Sequence, residues 1–100
     1  MAVIISLLLS FGVVYADCDP SNWQESLPNL DGCNLEGADL YGIDFSYAIL
    51  DNANLSNANL ATCDFTGASL INANLTGANL WNTNFEGAFL CGIDVSSLSG

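Results

Sequence analysis

A large apolar residue returns at every fifth position, without a gap, from Leu35 to Val95. Written in fives from Cys33, the chain reads CNLEG, ADLYG, IDFSY, AILDN, ANLSN, ANLAT, CDFTG, ASLIN, ANLTG, ANLWN, TNFEG, AFLCG, IDVSS. A helix repeats every 3.6 residues and a strand every two, so a period of five belongs to neither. The third place is Leu nine times, Phe three times and Val once, and the first place is Ala, Cys or Thr in eleven of the thirteen groups. Residues two apart in extended backbone share a side. Each group therefore sends a small and a large side chain inward, exposes the residue between them, and turns through its last two places, where Gly and Asn are frequent. The unit wraps into a coil that must stack on its neighbours to bury the inward row.

The number of groups per coil follows from two independent columns. Phe45, Phe65 and Phe85 lie twenty residues apart. The second place is Asn or Asp in ten groups, and its exceptions, Ile49, Ser69 and Phe89, are again twenty apart. Four groups per coil give four sides, with like residues stacked at about 4.8 Å. The inward centres are then Leu35, Leu40, Phe45, Leu50, Leu55, Leu60, Phe65, Leu70, Leu75, Leu80, Phe85 and Leu90, in about three coils.

These groups, A-(D/N)-L-x-x over residues 33 to 97, resemble the pentapeptide-repeat proteins. The resemblance implies an all-β fold, a right-handed quadrilateral parallel β-helix with the third-place residue as inward centre. It implies little about activity, because family members range from DNA-mimicking inhibitors of topoisomerase to exported and thylakoid-lumen proteins of unknown role.

Ahead of the repeat, Met1 to Ala16 carry no charged side chain, include the apolar run Ala2 to Leu9, and end in Val14-Tyr15-Ala16. This pattern predicts a secretory signal peptide over 1–16, cut before Asp17. The alternative is a membrane anchor, for which the run is shorter than the roughly 20 residues a spanning helix needs. The remaining organisation is an N-terminal capping segment over 17–32, in which Trp23, Leu27 and Leu30 fold over the first coil, and the β-helix over 33–100. A secreted, periplasmic or lumenal location follows, with no membrane association after cleavage.

Four cysteines fit an exported chain. Cys18 and Cys33 flank the capping segment and are the candidate disulfide. Cys63 and Cys91 occupy inward and outward phases, which argues against a bridge between them and leaves Cys91 either free or linking two chains.

Charge narrows the function classes. Eleven Asp and Glu stand against no Lys, Arg or His, a formal net charge of −11. Such a surface repels nucleic acid and anionic lipid and favours cationic partners. The usual general base, phosphate clamp and Schiff-base nucleophile are all missing. No catalytic residue, cofactor site or metal site is assigned. Asp44 and Asp64 fall in one outward column continued by Asn84, yet Asp and Asn alternate freely at the second place, which weighs against Ca²⁺. The triplets Asn54-Leu55-Ser56 and Asn74-Leu75-Thr76 are glycosylation signals that the repeat generates by itself.

Outward apolar residues are the remaining candidates. Ile49, Ile71 and Phe89 gather on one face, although β-propensity alone also places Ile and Phe there. Tyr41 and Trp81 share another column with Ala61 between them. The expectation is a non-enzymatic exported structural or protein-interaction module with an acidic solenoid surface and an unidentified protein partner. An open C-terminal coil would permit a homodimer, and equally a chain cut from a longer array. The alternative is a DNA mimic that inhibits a topoisomerase such as gyrase, for which the chain is short and export is the wrong compartment.

Overall fold

The computed structural model describes residues 18–96. The signal-peptide segment 1–16 and the C-terminal residues 97–100, with Leu98, lie outside the described residues. From Asn29 to Asp94 the chain forms a parallel ladder in which every bridge joins residues twenty apart. Four columns define four walls. The first holds Asp44, Asp64 and Asn84; the second Asn29, Ile49, Ser69 and Phe89; the third Asn34, Asn54, Asn74 and Asp94; the fourth Asp39, Asn59 and Asn79.

The ladder consists of isolated bridges rather than extended strands. Two of every five residues are spent on a turn, so each wall is only three residues wide. In each turn the first-place N–H donates to the third-place carbonyl three residues back, as Ala53 does to Leu50 at 3.1 Å. The fifth-place residue has positive φ, from +58° at Asn82 to +75° at Gly92. That combination is the type II signature, and it explains why Gly and Asn recur there. Tyr47 and Thr62 occupy the same position at φ 62° and 59°.

Coils are tied to one another by backbone bonds that repeat with the sequence. Asn54 N–H donates to Cys33 O at 2.8 Å, Leu55 N–H to Asn74 O at 2.8 Å, and Asn57 N–H to Thr76 O at 2.8 Å. Inside, the rings of Phe45, Phe65 and Phe85 stack with centroids 5.1 and 5.2 Å apart and planes 11° and 5° from parallel. These distances are close to the spacing between strands, because the rings ride on it.

The segment before the repeat closes one end. Trp23 begins a single turn of 3-10 helix, Trp23–Ser26, and is buried with its ring 5.1 Å from that of Phe45 and tilted by 47°. A disulfide joins Cys18 to Cys33. Cys18 O accepts the Asn34 N–H at 3.0 Å, the role that Cys33 O plays for Asn54 one coil later. The cap thus supplies both an apolar lid and hydrogen-bond acceptors to an edge that would otherwise lack them. Leu30 is fully buried beneath it, whereas Leu27 is exposed. Leu27 sits just past the helix with extended backbone before Pro28, which places it outside the lid.

Burial is graded along the stack. The nine centres from Leu35 to Leu75 are buried to within 2 % of fully, but Leu80, Phe85 and Leu90 are only half-buried. Equal burial of all twelve, which the period by itself predicts, therefore needs correction at this end. An inward centre loses solvent on both sides only when a coil lies above as well as below it. Among the described residues no coil covers the last three.

Candidate interaction surface

The outer walls are built by one recurrent device. Every Asn or Asp at a second place from Asn29 to Asp94 accepts, through Oδ1, the backbone N–H two residues on. This is the Asx turn, and it pre-forms the corner that follows. At Ser46, Ser56, Thr66 and Ser96 the hydroxyl donates to the same oxygen, as Ser46 does to Asp44 at 2.6 Å, whereas the Thr76 hydroxyl pairs with that of Ser96. Asn and Asp therefore stand at the second place because each carries the acceptor that caps the turn. Exposure alone, the reason apparent from composition, is insufficient.

Side chains also connect coils. Asn54 Nδ2 donates to Asn34 Oδ1 at 3.3 Å, and Asn59 Nδ2 donates to Asp39 Oδ1 at 3.2 Å. Hydroxyl and backbone N–H groups two residues on donate to the acids and favour their charged form. The Ser46 hydroxyl, then its N–H, hold the Asp44 carboxyl below the usual carboxylate range. The Ser21 hydroxyl does the same to Asp19, and the Ser96 N–H to Asp94. Asp44 and Asp64 are bridge partners, each with Oδ1 engaged by its own turn. Among the described residues no three of His, Cys, Asp and Glu converge to hold a metal ion.

The second wall departs from this scheme. Ile49, Ser69 and Phe89 offer no carboxamide or carboxylate to their turns. Only the middle turn finds a substitute, because Asp51 Oδ1, from the coil below, accepts the Ile71 N–H at 3.0 Å together with the Ser69 hydroxyl. Ile49, Ile71 and Phe89 are exposed by 41 %, 36 % and 62 %. Tyr47, at the corner entering this wall, is 73 % exposed and joins them, although nothing in the pentad pattern singled it out. Its ring lies over the backbone of Gly67, where a Cβ would meet it at 2.5 Å. Tyr41 and Trp81, also exposed, stand on the corner between the fourth and first walls, with Ala61 buried between them. The five candidate residues thus form two separate groups.

The free cysteines differ in setting. Cys91 is exposed on the corner after Phe89. Cys63 is buried and its Sγ–H donates to Leu40 O at 2.9 Å; Thr83, one coil later, donates its hydroxyl to Leu60 O at 2.9 Å. Burial pushes the Cys63 thiol up, against the smaller opposing effect of backbone N–H groups at Ile43 and Gly42.

Comparison with known proteins gives a consistent pattern. The family model for pentapeptide repeats matches residues 29–61 and 63–96, in eight copies. HetL, a pentapeptide repeat protein involved in heterocyst differentiation regulation in the cyanobacterium Nostoc sp. strain PCC 7120, is 30% identical over 71% of this chain and 38% of its own, with a TM-score of 0.38. A second pentapeptide repeat protein from Nostoc PCC 7120 is 29% identical over 73% of this chain and 69% of its own, TM-score 0.47. One from the Arabidopsis thaliana thylakoid lumen is 38% identical over 60% and 46%, TM-score 0.31. The chain spans less than half the length of HetL and of the Arabidopsis protein. No curated protein sequence shows significant similarity to it.

Proposed function

Since the chain belongs to the pentapeptide-repeat family, we propose that it is a non-enzymatic exported module that presents an acidic solenoid surface to a protein partner. The observation that carries this is the second wall, where apolar Ile49 and Phe89 replace the turn-capping Asn and Asp found on the other walls. The replacement forgoes hydrogen bonds that the fold uses everywhere else, so it has a cost in folding that binding would offset. Residues 1–16 direct export and are removed before Asp17, residues 17–32 cap the first coil, and the repeat winds as a right-handed quadrilateral β-helix. The half-buried Leu80, Phe85 and Leu90 support a homodimer through the C-terminal coil.

The test combines two measurements on the full chain expressed in its own cells. Intact mass of each cell fraction, alkylated without reduction, is expected to show a species beginning at Asp17 in the exported fraction, with two thiols blocked. Photo-crosslinking amino acids at positions 41, 49 and 89 are expected to capture a protein in that fraction. An uncleaved cytoplasmic species with four free thiols would overturn export, and a topoisomerase inhibition assay would follow. No adduct from any of the three positions would overturn the interaction module.

A further inference from the structure

The second wall restricts what can bind to it. Its backbone is already committed: Ile49 N–H to Pro28 O at 2.8 Å, Ser69 N–H to Ala48 O at 2.9 Å, Phe89 N–H to Ala68 O at 2.9 Å, and Leu70 N–H to Phe89 O at 2.8 Å. A partner therefore cannot add a strand there and must dock through side chains. Each coil offers one apolar side chain on this side, with Ile49 and Phe89 two coils apart in the wall column, Ser69 between them, and Ile71 beside Ser69 on the exit corner, at about 4.8 Å per coil. An α-helix laid along the solenoid axis repeats its own apolar side chains at a matching interval, since three or four residues advance about 5 to 6 Å.

Charge decides the rest of the partner's chemistry. Asp31 and Asp51 line one corner of the wall and Glu86 the other. A second copy of this chain brings eleven more acids and no Lys, Arg or His, so it cannot neutralise them. We propose that this wall receives a basic amphipathic helix of a protein partner, with apolar residues on Ile49, Ile71 and Phe89 and Lys or Arg reaching the flanking acids. Tyr47 bounds the docking strip on its entering corner. The proposal rests on the interaction-module reading and names the chemical class of its partner.

A built-in reporter makes the test direct. Cys91 is free and exposed on the corner after Phe89, and Cys63 is buried. The probe is a synthetic peptide repeating Leu-Lys-Lys-Leu-Leu-Lys-Leu, compared with a peptide of the same composition whose leucines are spread around the helix. The patterned peptide is expected to bind about tenfold more tightly than the scrambled one, to slow alkylation of Cys91, and to weaken as salt is raised. Ile49→Asn with Phe89→Asn, which restores the residue type of the other walls, is expected to reduce binding to the scrambled level. Asn57→Gly, on the corner between the third and fourth walls, is expected to leave it unchanged.

Equal binding of the two peptides would overturn the proposal, as would binding that leaves the Cys91 rate unaltered. A wild-type dimer in sedimentation that Ile49→Asn with Phe89→Asn abolishes would assign the wall to a second copy and overturn it too. Should that variant fail to fold, protection of Cys91 in the wild-type protein still decides. Failure here with a crosslinked partner at position 41 would remove this wall's role and leave the interaction module standing.

Discussion

Asp51 Oδ1 accepts the Ile71 backbone N–H at 3.0 Å from the adjacent coil, a bond that the residue beside Ile71's turn, Ser69, cannot make for itself. The turn at Ile71 is thus capped from below. Asp51→Ala is expected to cost about 1 kcal/mol by urea denaturation. In a Ser69→Asn background, which supplies the local acceptor, the same substitution should cost clearly less. A double-mutant cycle without coupling would show that the cross-coil bond contributes nothing.

Truncating the aromatic ladder should reveal the gradient of burial. Phe65 is fully buried between stacked rings, whereas Phe85 is half-buried. Phe65→Ala is expected to lose about 3 to 5 kcal/mol, and Phe85→Ala distinctly less. Chemical denaturation of both variants measures the difference, and equal losses would mean that a further layer covers Phe85 in solution.

The fifth place offers opposite outcomes at two positions. Thr62 is β-branched at φ 59°, a conformation that suits Gly or Asn. Thr62→Gly should raise the melting temperature, by an amount equivalent to about 1 kcal/mol. Gly67→Ala should lower it, because the residue has φ +68° and its Cβ would fall 2.5 Å from the Tyr47 ring. Combining Gly67→Ala with Tyr47→Gly relieves the clash and should recover part of that loss.

Thiol counting checks the cap and the core together. Native protein should take up one alkyl group, at Cys91; unfolded protein should take two, and unfolded, reduced protein four. Reducing the disulfide, which closes a sequence separation of 15, should destabilise the fold by about 3 kcal/mol.

Acid should weaken the turn caps at Asp19, Asp44 and Asp94. Their carboxyl groups are held below the ordinary 3.8, so the folded state binds fewer protons than the unfolded state in this range. Their stabilisation is present above the ordinary value and is lost as pH falls through the lowered one. Asp44→Asn keeps the Oδ1 acceptor but removes the titration. Its melting temperature should fall less than that of wild type between neutral pH and pH about 2.5, and parallel curves would exclude the Asp44 contribution.

The coil geometry was legible because each pentad repeats the same local conflict between burial and turning. The spacing of Phe45, Phe65 and Phe85 revealed four groups per coil, and Ile49, Ser69 and Phe89 marked the divergent wall. The role of Asn and Asp at the second place was missed, since either suits an exposed site; the Asx preference two residues before a turn was the signal that could have revealed it. Tyr47 was harder to see, since a fifth-place aromatic reads as an irregular turn until Gly67 is found beneath its ring.

Side alternation, turn position and the number of residues per coil follow from short stretches of chain, and the sequence by itself determined them. Which inward residues are actually dry, which carbonyl replaces the missing coil beneath Asn34, and which carboxylate serves Ile71 were decided only by the tertiary structure. Each depends on a neighbour about twenty residues away or on the cap. Burial and hydrogen-bond satisfaction are properties of the stacked pair of coils, so no single pentad encodes them.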